Sequence, residues 1–237
     1  MISIQKAVVP QKLVRLGRPW RTWLMQQISH TPNRKWSELP DRIKNLARTK
    51  YRNQEIKSAL RAEAHSKCSY CETYIAGAQY ADIDHFRPIS KHPLLAFEWR
   101  NLLYSCELCN EEKSDYGKPD ESIINPSIDN PESEMTFHFT GLRHGWVNPL
   151  TLKGERTRDV LKLDRPDLLI DRRRRLQEVR DNIEIYRAAL NDPNLQDATR
   201  GMVGRLVRSM TGADASFSSM CNQYVDTQQD ARVWKAL

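Results

Sequence analysis

Cys68-Ser-Tyr-Cys71, then Asp82-Ile-Asp84-His85-Phe-Arg87-Pro88, then Asn101, then Cys106-Glu-Leu-Cys109-Asn110-Glu-Glu-Lys113 follow one another in a short window of this 237-residue chain. Two CxxC pairs are separated by 34 residues. Four thiolates satisfy a tetrahedral Zn²⁺ and leave no open position. If they share one ion, the two pairs must meet in space and tie down the ends of the interval that carries His85. Only one other cysteine, Cys221, occurs, so two such pairs are not a coincidence of composition. Cys68, Cys71, Cys106 and Cys109 are predicted to hold a structural Zn²⁺, and Cys221 is read as a buried helix residue.

The enclosed residues suit a different, open site. An unperturbed histidine titrates near neutrality, so His85 can activate a water, provided that a hydrogen bond to its other ring nitrogen orients it. Asp84 is a hard oxygen ligand for Mg²⁺ or Mn²⁺, and Asn110 offers a second oxygen. Neighbours on a strand point to opposite faces, so Asp84 and His85 serve one site only at a strand end or bend. Water and a scissile phosphate would complete the coordination. A closed thiolate site beside an open oxygen site points to phosphodiester cleavage. Plainer readings stand beside these. Asp82 reads as a solvated strand residue, with a supporting role behind the metal ligands as the alternative; His92 reads as a loop residue or a substrate contact, and Arg87 as either an internal ion pair or a phosphate clamp. Asn101 could be a helix cap. His65, His138 and His144 fit no ligand spacing.

Outward from this window the chain is basic, with a net charge of +7. That favours an anionic partner, nucleic acid foremost. No apolar run is long enough to span a bilayer, and Met1-Ile-Ser-Ile-Gln-Lys6 lacks the apolar stretch of a signal peptide. A cytoplasmic protein is expected, where paired CxxC motifs are metal ligands and not disulfides.

Residues 1–66 read as helical. Trp20, Trp23, Leu24 and Ile28 share a face, and Leu39, Ile43 and Leu46 repeat the spacing behind a Ser37 cap and Pro40. A third helix after Asn53 carries Ile56 and Leu60. Residues 67–116 hold the motif, with a strand over 81–86 and a knuckle entering a short helix over 105–113. Residues 117–150 read as a linker followed by a hairpin that turns at Gly141. Residues 151–237 are helical, with Leu169, Leu176, Val179, Ile183, Tyr186 and Leu190 as an amphipathic stripe. Arg172 to Arg175 form either a solvated face or a phosphate-binding ridge.

The pattern Cys68-x2-Cys71, Asp84-His85, Asn101, Cys106-x2-Cys109-Asn110-x2-Lys113 resembles the zinc-knuckle branch of the HNH endonucleases. The resemblance implies an α+β, mainly α fold: a small ββα-metal core with a four-cysteine zinc knuckle, flanked by N- and C-terminal helices. It implies that His85 is the general base, that Asp84 and Asn110 hold the catalytic metal, and that Asn101 fixes the loop and orients His85. The third letter of the family name is His, where this chain has Asn110. Lys113 matches a basic residue that would face phosphate, and Arg87 is the other candidate substrate contact. Tyr70-Cys71-Glu72, His85-Phe-Arg87-Pro88, Asn101-Leu-Leu-Tyr-Ser-Cys106, Asn125-Pro126 and Gly154-Glu155-Arg-Thr157 are similar to the PtuB-like nuclease subunit of Septu-type antiphage systems. Some of these are linked to retrons.

That likeness implies an ABC-type ATPase partner docked on the flanking helices. It also admits a retron reverse transcriptase and its RNA–DNA hybrid, and no membrane. The expected substrate is nucleic acid, with DNA favoured and RNA, tRNA included, as the alternative. A non-catalytic zinc ribbon that binds nucleic acid or the ATPase is the rival from another class. It predicts that Cys68→Ser abolishes function while His85→Ala is silent.

Overall fold

The computed structural model describes residues 1–75, 81–117, 122–191 and 197–228. Three N-terminal helices, α1 (Gln11–Ser29), α2 (Asp41–Tyr51) and α3 (Gln54–Glu63), precede the motif. Strands β1 (Ala81–His85) and β2 (Leu102–Cys106) and helix α4 (Glu107–Lys113) form it. One-turn helix α5 (Pro131–Glu134), strands β3 (Met135–Phe137) and β4 (Val147–Pro149), and helices α6 (Leu152–Val160), α7 (Pro166–Asn191), α8 (Asp197–Thr211) and α9 (Ser218–Asp226) complete it. The mainly helical α+β reading with a ββα core holds. No helix among the described residues is long and apolar enough to cross a membrane.

β1 and β2 pair antiparallel, with Asp84 opposite Leu103 and His85 opposite Leu102. β1 is buried on both faces except at Asp82. The hairpin of β3 and β4 pairs Met135 with Pro149 and Phe137 with Val147. A continuous apolar core runs from Ile4, Leu24 and Ile28 through Ile56, Leu60, Leu102 and Leu103 to Leu176, Ile183 and Met220.

Trp20, Trp23, Leu24 and Ile28 do pack on this core from α1. The second helix differs from its expected start. Ser37 lies in a 3-10 turn, Trp36–Glu38, and makes no cap. Pro40 occupies the N-cap position and holds Leu39 extended, ending any helix before it. The core-facing stripe therefore runs through half-buried Ile43 to buried Ala47 and Tyr51, and Leu46 is 43% exposed. Asn53 caps α3 by accepting the Glu55 N–H at 3.0 Å, and Ile56 and Leu60 are fully buried. In α7, Leu169, Leu176, Val179, Ile183 and Tyr186 are buried as a stripe; the side chain of Leu190 lies outside the described residues.

Arg172 to Arg175 are neither a solvated face nor a phosphate ridge. Arg172 is 2% exposed, and its Nη1 donates to the Leu163 carbonyl at 2.7 Å. Arg173 donates to the carbonyls of His144 and Leu142, each at 3.1 Å. Arg175 pairs with Glu178 at 3.0 Å, and Arg174, the exposed member, with Asp171 at 2.7 Å. The turns around 142–145 and 163–164 leave carbonyls that no helix satisfies, and two of these guanidinium groups satisfy them.

The second outlying segment, Gly154-Glu155-Arg-Thr157, is bonded to the residue just before the first, Asn125-Pro126. Buried Thr157 Oγ1 accepts the Ile124 N–H at 2.8 Å, and the Pro126 carbonyl accepts the Ile4 N–H at 2.7 Å. At Gly154 a Cβ would collide with the carbonyl oxygen of Glu134. That oxygen is already held by the Leu150 N–H at 2.9 Å, so it cannot retreat. Gly154→Ala is expected to lower stability by about 2 kcal/mol: the backbone clash outweighs the ~1 kcal/mol gained in helix propensity. Thermal denaturation should show the drop, with cleavage per folded molecule unchanged.

Candidate functional site

The four predicted thiols converge. The Sγ atoms of Cys68, Cys71, Cys106 and Cys109 all lie within 4.8 Å of one another. Cys71 and Cys106, from the two different pairs, are 3.8 Å apart. The first knuckle is shaped by the Cys68 N–H to Thr73 carbonyl bond, 2.9 Å, and by Glu72 in the left-handed region at φ 65°. The second starts at Cys106, whose sulfur caps α4 by accepting the Cys109 N–H at 3.5 Å. Hydrogen bonds from Cys106, Cys109 and Cys68 pull Cys71 well below the ordinary thiol range. The cluster, buried except for half-buried Cys106, could hold a metal ion, and four convergent sulfurs are the donor set that suits Zn²⁺.

Arg165 escaped the sequence reading. Its Nη1 lies 3.7 Å from Cys109 Sγ. Burial opposes its charge, but Cys109 and Cys71 outweigh burial and push its pKa up. A Zn²⁺ with four thiolates carries a net charge of about −2, and a guanidinium at the sulfurs compensates part of it. Nothing in the local sequence signals this, because Arg165 is 56 residues from Cys109.

The knuckle is tied to the open site through Tyr70, the third residue of the first CxxC. Tyr70 is fully buried, and its hydroxyl donates to Asp84 Oδ2 in a short bond. Lys113 Nζ donates to Asp84 Oδ1 at 3.0 Å and to the His85 carbonyl at 2.8 Å. The expectation that Lys113 faces phosphate is therefore corrected. Its side chain is wholly buried, because α4 lies against β1 and aims its last turn beneath the strand end. The ammonium secures Asp84 and the backbone of His85 from inside.

Asp84, His85 and Asn110 open onto one cleft of about 480 Å³, which Tyr51, Arg48 and Arg52 also line. They reach it together because β1 ends at His85 and the chain bends there. His85 Nε2 lies 2.9 Å from the Ala96 carbonyl. A carbonyl only accepts, so Nε2 carries the proton and Nδ1 of the neutral ring keeps a bare lone pair. Tyr51 packs edge-on against this ring, with centroids 4.6 Å apart and planes at 89°. Burial, foremost, holds the His85 pKa below the usual imidazole value.

Asn101 is no helix cap. Its Oδ1 accepts the Arg87 N–H at 2.8 Å, and its Nδ2 donates to the carbonyls of Arg87 and Leu95 at 3.1 and 3.2 Å. It thus pins both ends of the loop whose next residue, Ala96, holds His85. Arg87 is exposed and lines a smaller neighbouring pocket of about 110 Å³ with Phe86, His92, Tyr116 and Ile123. Asp82 is not simply solvated: it accepts hydrogen bonds from Arg52 and from Asn110 Nδ2, both at 2.8 Å. Cys221 is buried as expected, and burial pushes its thiol up to about 12.

The residues facing the cleft fit a catalytic cation. The Asp84 oxygens each accept one bond from the protein and retain lone pairs. Asn110 donates its amide N–H to Asp82, so its carbonyl oxygen is the atom it can offer. Two hard oxygens suit Mg²⁺ or Mn²⁺, which keep most of their ligands as water and phosphate.

Residues 68–116 match the family model described as HNH endonuclease. Septu protein PtuB of Bacillus thuringiensis is 37% identical over 117 residues, 48% of this chain and 43% of that protein. Septu protein PtuB of Bacillus mycoides (strain KBAB4) is 29% identical over 172 residues, 60% of this chain and 56% of that protein. The chain thus spans about half the length of the curated relatives it matches. Residues 68–116 thus match the HNH endonuclease family, within a chain similar to Septu protein PtuB.

Proposed function

We propose that this protein is a metal-dependent endonuclease that hydrolyses nucleic-acid phosphodiester bonds as the effector of an antiphage defence complex. The observation that carries the reading is the His85 ring, protonated at Nε2 by its bond to the Ala96 carbonyl and bare at Nδ1, in a cleft that Asp84 and Asn110 also line. His85 takes a proton from water at Nδ1. The water oxygen bonds to phosphorus, and the bond to the 3′ oxygen breaks. Asp84 and Asn110 would hold Mg²⁺ or Mn²⁺, which stabilises charge on the phosphate and the leaving oxygen. Asn101 keeps the loop, and through Ala96 the ring, in place. Arg87 is the exposed cation that contacts the substrate backbone. Cys68, Cys71, Cys106 and Cys109 hold Zn²⁺ and only shape the site.

A depressed His85 pKa has a direct consequence. The base works as neutral imidazole, so activity falls when the ring gains a proton. The acid limb of the pH–rate profile is expected below the usual imidazole value of about 6.5. A cation at Asp84 pushes the same way. An acid limb at or above that value contradicts His85 as the base.

DNA is the favoured substrate, and an ABC-type ATPase is the expected partner. The alternative is a tRNA-cleaving effector allied to a retron reverse transcriptase and its RNA–DNA hybrid. The test is cleavage of plasmid DNA and of total tRNA by the purified protein, with and without the neighbouring ATPase, in Mg²⁺ or Mn²⁺. His85→Ala runs alongside. Loss of DNA in the wild type alone supports the favoured reading, and loss of tRNA alone moves the substrate. Wild type and His85→Ala alike inert in vitro and in cells would leave the zinc-ribbon binding module.

A further inference from the structure

The matched HNH segment begins at residue 68, yet one side of its cleft is held from outside it. Arg52 directly follows α2, and its Nη2 donates to both carboxylate oxygens of Asp82, at 2.8 and 3.1 Å. Asp82 Oδ2 in turn accepts Nδ2 of Asn110 at 2.8 Å. A carboxylate only accepts, so it dictates which end of the planar amide turns toward it. With Nδ2 fixed on Asp82, Oδ1 of Asn110 is directed away from Asp82. Without that acceptor the amide is free to flip, and a flipped amide presents an N–H group that cannot ligate a cation. The neighbouring residue, Tyr51 at the end of α2, packs on His85.

We propose that Arg52 and Asp82 are positioning residues that hold the carbonyl oxygen of Asn110 in place to ligate a divalent cation, making the end of α2 part of the nuclease site. This rests on the metal-dependent reading above. Asp82 orients the ligand, and Arg52 fixes Asp82. The Arg52 and Asp82 side chains are 51% and 25% exposed, and an ion pair that open to solvent contributes little to stability. A merely structural role therefore predicts almost no phenotype, whereas a positioning role predicts weaker metal binding in a protein that melts normally.

Mn²⁺ binding to the full chain, followed by the electron paramagnetic resonance signal of the free ion, separates these outcomes without relying on turnover. Zinc content and melting temperature serve as controls. Asp82→Ala is expected to weaken Mn²⁺ on the order of 10- to 100-fold, as loss of a group that orients a ligand usually does. Arg52→Ala should weaken it several-fold. Asp82→Ala combined with Asn110→Ala should bind no more weakly than Asn110→Ala alone, since both act through one oxygen. Cleavage by Asp82→Ala should recover toward the wild-type rate at saturating Mn²⁺. Unchanged Mn²⁺ affinity in Asp82→Ala would overturn the proposal. So would tighter binding in Arg52→Ala, which would make Asp82 itself a ligand released by loss of the arginine. Mn²⁺ affinity that survives Asp84→Ala would sink the metal assignment beneath it, a distinct result from the first two.

Discussion

His85→Ala is expected to lower nucleic-acid cleavage by about 10²- to 10⁴-fold, the range that a positioned general base contributes, while the fold is retained. The imidazole is buried, so some stability should also be lost, through the bond to the Ala96 carbonyl and the edge contact with Tyr51. That loss should be about 2–4 kcal/mol, since the Ala96 carbonyl loses its buried donor and the aromatic contact goes with it. Zinc content, circular dichroism and Mn²⁺ binding should match the wild type. Cleavage within a few-fold of wild type would remove His85 from the chemistry. Cells that arrest with the wild-type protein but grow with His85→Ala would extend the same conclusion to defence.

Cys106→Ser, or removal of the ion by a strong chelator, is expected to unfold the domain and not merely to slow it. Structural Zn²⁺ binding is worth roughly 10–16 kcal/mol in small zinc modules, which is the size of a whole domain's stability. Here the cluster joins three parts of the chain. Its first knuckle fastens Tyr70 to Asp84. Lys67 Nζ donates to the Ala215 carbonyl at 2.9 Å and to Ser218 Oγ at 2.8 Å, and Glu72 accepts the Ser219 N–H at 3.0 Å, which docks α9. Arg165 at Cys109 brings in the start of α7. Chelation should therefore abolish near-ultraviolet circular dichroism and cleavage together, and Mg²⁺ or Mn²⁺ should not restore either. His85→Ala and Cys106→Ser then separate chemistry from folding. A chelated protein that keeps its tertiary signal would deny the cluster its structural role.

The metal cluster and the Asp84-His85 pair were legible because their geometry is local. A CxxC is a single tight turn, and two such turns can bring four thiols to one point. A strand that ends at Asp84-His85 can present both residues to one side. The helical stripes at Ile56 and Leu60, and at Leu176, Val179 and Ile183, were legible for the same reason: periodicity of about 3.6 is a property of neighbours in sequence. Asn101 was found by its place in a motif, but the bonds by which it works, to Arg87 and Leu95, arise only in the folded loop.

Charged side chains were the least legible. In sequence, Lys113, Asp82 and Arg172 to Arg175 read chiefly as groups that face solvent or phosphate. Lys113 is buried because β1 presents a carboxylate and a carbonyl within reach of the last turn of α4, and Arg172 because Leu163 and Gly145 leave carbonyls facing it. Arg52 and Tyr51 reach the cleft because the end of α2 meets β1, with Tyr51 on His85 and Arg52 on Asp82. By itself the sequence determined the convergence of the four cysteines, the ββα core and the candidates for its chemistry, since each rests on donor type and short-range spacing. Tertiary structure alone decided which cations are structural, which carboxylate orients Asn110 and which helix walls the cleft, because a charge finds its partner across the fold and not along the chain.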